Sequence, residues 1–128
     1  MAWEQSEIRE LKENRYVVID DEPCKIKSID TSKPGKHGEA KARIEAIGIF
    51  DNKKHSLINP VTHKVRVPLI DRRKGQVVSL SSGEANIMDL DNYKTFQISL
   101  DEDIQDELEQ GQEIMYLETM GKRKITRT

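Results

Sequence analysis

Hydrophobic and polar positions alternate with a period near two along most of this chain, which is the signature of half-buried β-strands. Tyr16-Val17-Val18-Ile19 is a short β-prone run, closed by Asp20-Asp21-Glu22-Pro23. Cys24, Ile26 and Ile29 recur through a lysine-rich segment. Ala40, Ala42, Ile44 and Ala46 then share one face, with Lys41, Arg43 and Glu45 on the other. Ser56–Asn59 and Lys64–Val67 read as two further strands, and Ser6–Leu11 as a helical turn. Pro68 ends a strand, and the residues after it turn basic, so a short semi-rigid linker is expected over Pro68–Lys74. Beyond it the pattern restarts with strands at Val77–Leu80, Ala85–Leu90, Thr95–Leu100, Ile114–Met120 and Ile125–Thr128. Ser99-Leu100-Asp101-Glu102 has the form of a capping box that opens a short helix. Ile104 and Leu108 share its buried face, and Gly111 is placed to end it.

The pattern therefore predicts a mainly β protein in two parts, residues 1–71 and 72–128, each near the lower size limit for an independent domain. Short strands with glycine-bearing turns suggest small barrels. One short helix before the penultimate strand of the second part fits an OB-like barrel.

Composition narrows the chemistry. Of the 128 residues, 34% are charged and only 35% hydrophobic, so the cores are small and aliphatic. No apolar run approaches the roughly 20 residues that span a membrane, and no charged start precedes an apolar stretch, so neither a membrane span nor a secretory signal is expected. The single cysteine, Cys24, can form no intramolecular disulfide, and a reduced, cytoplasmic setting is the expectation. Cys24 falls in a predicted strand and reads as a buried, inert thiol. His37, His55 and His63 are scattered without metal-ligand spacing, so no metal site is expected. Gly35-Lys36 lacks the remaining residues of a phosphate loop, and no nucleophile elbow or zinc-protease signature occurs. Nothing here assembles a catalytic residue set.

The net charge of −2 does not suggest a nucleic-acid binder; its distribution says more, although on charge alone a solvated face is the favoured reading. Residues 25–54 hold eight basic side chains and four acidic ones. A local basic field can nevertheless meet phosphate on a mildly acidic chain. At the centre of this stretch lies Asp30-Thr31-Ser32-Lys33-Pro34-Gly35-Lys36-His37-Gly38-Glu39-Ala40-Lys41. Pro34-Gly35 is a strong turn signal, and Gly38 permits a second reversal. The expected hairpin projects Lys36 and His37 from a stiff base, with Lys33 and Lys41 on either side. Such a cationic tip can enter a phosphate-rich cleft, or it can be an ordinary polar loop.

The segment Thr31-Ser32-Lys33-Pro34-Gly35-Lys36-His37-Gly38 closely resembles the hypusine loop of the translation initiation factor 5A family. The resemblance extends to Tyr16-Val17-Val18-Ile19, Pro23-Cys24-Lys25-Ile26, Asp51-Asn52-Lys53-Lys54 and Pro60-Val61-Thr62-His63, and to the two-part layout. It implies an SH3-like N-terminal barrel followed by a C-terminal OB-fold, and a factor with no cofactor of its own that is not an enzyme. It further implies a lysine modified by deoxyhypusine synthase, a separate NAD-using enzyme that transfers an aminobutyl group from spermidine. The matching position is Lys36. The implied partners are the large-subunit RNA of the ribosome and peptidyl-tRNA, and direct binding of messenger RNA is left open. The implied function is promotion of peptide-bond formation at stalled sequences such as proline runs, in elongation and termination.

By the same resemblance, Lys33, Pro34, Gly35, His37, Gly38 and Lys41 form the RNA-facing loop. The negative second part argues against indiscriminate RNA binding there, so docking of that part is expected to rest on shape and a few contacts from Arg72, Arg73 and Lys74. Pro34 in place of threonine, the lack of an acidic N-terminal extension and the early end of the chain resemble the archaeal branch and leave hydroxylation of the modified lysine open. Glu39 weakens the loop field locally. An unmodified RNA-binding barrel pair is the alternative reading, and it predicts that no single lysine dominates.

Overall fold

The computed structural model describes residues 3–32 and 40–127. It is β-rich, with eleven strands and one short helix among the described residues, arranged as two compact units that divide between Leu69 and Ile70. The strand sheets curl into half-barrels, the SH3-like one first and the OB-type one second.

In the first unit, β2 (Tyr16–Ile19), β3 (Glu22–Ser32), β4 (Lys41–Gly48) and β5 (Lys54–Pro60) form an antiparallel sheet in that order. A two-stranded ribbon pairs β1 (Trp3–Glu7) with β6 (Lys64–Pro68). The alternation read from the sequence sets the packing. Val17, Ile19, Cys24, Ile26, Ala42, Ile44 and Ala46 point inward and are buried, together with Ile8. A register slip of one residue would turn this entire set toward solvent, so the register is tightly specified. The expected helical turn at Ser6–Leu11 is a 3₁₀ turn at Ile8–Glu10, and Ser6 belongs to β1. Backbone bonds from Ile8 N to the His63 carbonyl (3.0 Å) and from Arg9 N to the Val61 carbonyl (2.9 Å) fasten that turn to the β5–β6 connection.

The β2–β3 turn carries an electrostatic problem and its solution. Asp20 and Asp21 are adjacent acids, both at positive φ (54° and 61°), where the two-residue hairpin turn normally takes Asn or Gly. Each is answered from a different strand. Asp21 pairs with Arg66 of β6, and Asp20 with Nδ1 of His55 of β5 at 3.0 Å. Nε2 of His55 meets Asp51 of the β4–β5 turn at 2.8 Å. Only an imidazolium donates from both ring nitrogens, so this geometry defines a charged His55 that bridges two turns. Asp51 can reach it because residue 48 is glycine: a Cβ there would lie 1.8 Å from an Asp51 carboxylate oxygen.

In the second unit the strands are β7 (Asp71–Ser81), β8 (Glu84–Asp89), β9 (Thr95–Ser99), β10 (Glu113–Thr119) and β11 (Lys122–Arg127), in the sheet order β11-β10-β7-β8-β9. The single helical turn α1 (Glu102–Gln105) lies between the third and fourth of these strands, as an OB-type unit requires. Its core holds Val77, Ala85, Ile87, Ile98, Leu108, Ile114, Tyr116 and Ile125.

Three sequence expectations are corrected here. The segment Pro68–Lys74 is not a linker: β6 runs through Pro68 and β7 begins at Asp71, which leaves only Leu69 and Ile70 between strands. Ser99 does not cap the helix, because it ends β9; the residue before the helix is Asp101, and its side chain makes no capping bond. The helix stops at Gln105, so Gly111 (φ +89°) serves a later turn and is not its C-cap. Ile104 and Leu108 therefore share no helix face; Leu108, beyond the helix, is buried, and Ile104 is partly buried against the same core.

Two predictions follow from this packing. Ile44→Ala, at a fully buried position of the β4 face, is expected to cost about 2–5 kcal/mol in urea unfolding. The His55 bridge is expected to depend on pH. Hydrogen bonds from Asp20 and then Asp51 raise the His55 pKa above its usual 6.5. The Lys53 backbone N–H and then His55 lower that of Asp51 below 3.8. The His55 contribution is therefore fully present below pH 6.5 and fades as pH climbs through the raised value. The Asp51 contribution is present above pH 3.8 and fades as acid passes its lowered value. Proton NMR titration should show a raised His55 midpoint in the wild type and a less raised one in Gly48→Ala, which displaces Asp51 and leaves Asp20 in place.

The candidate site at the root of a cationic hairpin

Strands β3 and β4 form one long antiparallel hairpin. Its ladder runs through Ile29↔Ile44, Asp30↔Arg43 and Thr31↔Ala42 to Ser32↔Lys41, with a bulge between Ile26 and Ser28. The third strand reinforces it, since β5 pairs Pro60 with Lys41, Asn59 with Ala42 and Ile58 with Arg43. Val61 N donates to the Ala40 carbonyl at 2.9 Å, so the returning arm is fastened one residue before β4 begins. The eight residues between Ser32 and Lys41 thus leave and re-enter a three-stranded base.

Of the predicted loop residues, Lys33, Pro34, Gly35, Lys36, His37 and Gly38 lie outside the described residues, as does Glu39. Lys41 is described. It is exposed and stands at the mouth of the hairpin, on the face opposite Ala42 and Ile44. Two rows further in lie Arg43 and Glu45, joined at 3.2 Å, and Lys54 also approaches Glu45, at 3.5 Å. Below the mouth the outer face of the sheet therefore carries an ion-paired cluster beside the exposed Ile58.

Sequence reasoning missed a cleft beside this root. A cavity of about 510 Å³ has a floor of Ile8, Leu11, Ile29, Ala42 and Val61, with Lys12 at its edge. Those five floor residues come from three segments, the 3₁₀ turn and its exit, the β3–β4 hairpin, and the end of β5. The spacing of Ile8 and Leu11 was the one signal available in the sequence.

Other expectations resolve clearly. Cys24 is buried, its Sγ donates to the Glu22 carbonyl at 3.3 Å, and burial pushes its thiol up to about 11, so it is an inert core residue. Trp3 is half-buried, with the Arg66 guanidinium 5.6 Å from its ring. Arg73, expected to contact RNA, is occupied otherwise. It donates through Nε and a terminal nitrogen to Asp89, which is 2% exposed, and reaches Asp71 at 3.0 Å. Asp89 also accepts from the Tyr116 hydroxyl and from the backbone N–H groups of Asp91 (2.8 Å) and Asn92 (3.1 Å). Arg73 first, and then Tyr116, hold this carboxylate well below the usual range, while burial pushes the Tyr116 phenol up to about 12. This is a structural network joining β7, β10 and the β8–β9 turn. Among the described residues, no group of three or more His, Cys, Asp or Glu side chains could hold a metal ion. No helix there is long and apolar enough to cross a membrane.

Comparison with known proteins gives this arrangement a context. Residues 4–63 match the family model described as translation initiation factor 5A-like, N-terminal. Translation initiation factor 5A of Archaeoglobus fulgidus is 55% identical over 124 residues, covering 97% of each chain. That of Haloarcula marismortui is 56% identical over 128 residues, the whole of both chains. The solved structure of eukaryotic translation initiation factor 5A from Methanococcus jannaschii superposes with a TM-score of 0.90 at 47% identity, covering 98% of this chain and 94% of that one. A translation initiation factor eIF-5A family protein from Naegleria fowleri gives 0.80 at 33% identity, covering 99% and 98%. Fold, hairpin and relatives together define a translation factor built from two small β half-barrels, and not an enzyme. The chain belongs to the translation initiation factor 5A family, and more than half of its residues are shared with the members from Archaeoglobus fulgidus and Haloarcula marismortui.

A site prediction follows from the fastening of the hairpin root. Val61→Pro removes the N–H that holds the Ala40 carbonyl. Amide hydrogen exchange should then accelerate selectively across Ala42 to Ile44 and across their β5 partners, with little change in the second unit.

Proposed function

We propose that this factor binds the ribosome beside peptidyl-tRNA and promotes peptide-bond formation at stalled sequences such as proline runs, once Lys36 has been converted to deoxyhypusine or hypusine. The observation that carries the reading is the three-stranded base of the β3–β4 hairpin, fastened up to Ser32 on one arm and to Ala40 on the other. An eight-residue excursion from that base can reach at most about 14 Å out and back. A lysine at its centre gains further reach when an aminobutyl group is added, and it then carries two positive charges.

The modifying group comes from spermidine, by way of a deoxyhypusine synthase with its own NAD. The C–N bond that joins the aminobutyl group to the rest of spermidine breaks, its carbon bonds to Nζ of Lys36, and the Nζ proton given up leaves on the remaining diamine. The glycines Gly35 and Gly38 give that enzyme and the RNA close access to the chain. Lys33, His37 and Lys41 make supporting phosphate contacts, and Pro34 stiffens the approach. The factor donates no acid, base or nucleophile. It holds the acceptor end of peptidyl-tRNA in a reactive orientation, so its contribution is entropic. The setting is the cytoplasm, where ribosomes and the synthase are at hand.

The test is Lys36→Arg. Arginine keeps the charge but cannot accept the aminobutyl group. Reconstituted synthesis through a proline run should fall to the level without factor, while synthesis of a proline-free message is unchanged. Full activity of the variant would contradict the reading.

A further inference from the structure

Tyr93, in the turn between β8 and β9, is an aromatic side chain for which the fold has no use. It is 70% exposed, and neither its ring nor its hydroxyl has a partner among the described residues. Other aromatic side chains of the chain are engaged. Trp3 lies beside the Arg66 guanidinium, Phe96 packs against Tyr116 and under Arg123, and the Tyr116 hydroxyl donates to Asp89. The Tyr93 backbone is also unusual. Six non-glycine residues among those described have positive φ, and four of them are Asn or Asp, whose short side chains tolerate that region. The other two are Met120, half-buried in the β10–β11 turn, and Tyr93, at φ 60°. A bulky side chain in the left-handed region strains the backbone, and such strain persists only where the surroundings over-determine it.

Here they do. Every backbone N–H from Asp89 to Lys94 has an acceptor. Asp89 N donates to the Lys94 carbonyl (2.8 Å), Leu90 N to that of Lys74 (3.0 Å) and Tyr93 N to that of Asp89 (2.9 Å). Asp91 N and Asn92 N donate to Asp89 Oδ1, and Lys94 N to Asn92 Oδ1 at 2.9 Å. Asp89 is itself fixed by Arg73 and Tyr116. The turn is therefore rigid without help from the Tyr93 side chain, and Asn or Gly at this position would form it with less strain. We infer that Tyr93 is a stacking platform for an unpaired RNA base, with Lys94 meeting the adjoining phosphate. Lys94 is exposed, and its ammonium has no partner among the described residues. Asp91, the exposed acid of the turn, is answered by Arg73 at 3.7 Å. An open aromatic face beside a free ammonium matches the two groups that a single-stranded nucleotide offers, its base and its phosphate. The rigid turn holds the ring in place beforehand, so little ordering is lost on binding. The inference rests on the proposed ribosomal function for the choice of RNA, but it makes no use of Lys36.

The experiment uses the full-length chain with Lys36 unmodified and two probes, an RNA hairpin with a fluorescent purine analogue in its unpaired loop and a fully paired RNA duplex with the same number of phosphates. Binding is measured over a salt series. Tyr93→Asn should bind the hairpin about tenfold more weakly than wild type and lose the quenching that stacking on the ring produces. Its urea midpoint should not fall, because Asn accepts a positive φ and the turn's hydrogen bonds do not use the replaced side chain. Tyr93→Phe should stay within about twofold of wild type and keep the quenching, since it keeps the ring. Lys94→Gln should reduce the log–log salt slope for the hairpin by about 0.7, the value for one lost single-strand contact. Duplex binding should be the same in wild type and Tyr93→Asn. Equal hairpin binding by wild type and Tyr93→Asn, or equal weakening toward hairpin and duplex, would overturn the inference. Unchanged hairpin binding by Tyr93→Asn with weaker binding to intact ribosomes would assign the ring to a protein partner and overturn it as well. Lys36→Arg should bind the hairpin as wild type does, so failure of the stacking site and failure of the lysine-modification reading are distinguishable.

Discussion

The register of the β3–β4 ladder is the constraint on which the first unit depends. Its inward row, from Ile26 through Ala42, Ile44 and Ala46, is the core of the half-barrel, and its outward row carries Lys41, Arg43 and Glu45. The same hydrogen bonds that bury the isoleucines run on to Ser32 and Lys41, beyond the last core side chain. Core packing and hairpin rigidity are thus one property. Anything that shifts the register both exposes the core and misdirects the loop. The charged bridge through His55 secures the far end of the same two strands, by tying the β2–β3 turn to the β4–β5 turn.

Cations in this chain divide by what faces them. Arg73 and Arg66 look in the sequence like members of basic runs, yet each answers a carboxylate, Asp89 and Asp21 respectively. Removal of either arginine would leave an acid in a turn or core without its partner, so these side chains serve the fold. Lys41 and Lys74 are exposed on rows that face away from the cores. The division follows strand parity, because Arg72 and Arg73 are neighbours in sequence and lie on opposite faces of β7.

This parity explains what was legible beforehand. Strands with strict alternation, such as Lys41–Gly48, were readable almost to the residue, because burial on one face writes period two into the sequence. Strand β1, Trp-Glu-Gln-Ser-Glu, was not, because it belongs to a two-stranded ribbon and has little to bury. The start of β7 was taken for a linker because three consecutive bases mask an alternation whose inward member is an arginine. The capping box failed because Ser99 is held by β9 pairing, and a ladder bond displaces a local cap. The Asp20-Asp21 turn is legible as the close of a strand, but its ion-pair partners on β5 and β6 are distant in sequence and are not. The loop motif stands out in the sequence as a motif, whereas the cleft at its root needed separated segments to be brought together.

The central claim is that Lys36 works as a modified side chain on a rigid hairpin. The most direct measurement is the mass of the peptide spanning Lys36, taken from the protein purified from its own cells. The account predicts an aminobutyl adduct located on Lys36, with one additional oxygen if the group is hydroxylated. An unmodified Lys36 at full peptide coverage would contradict it.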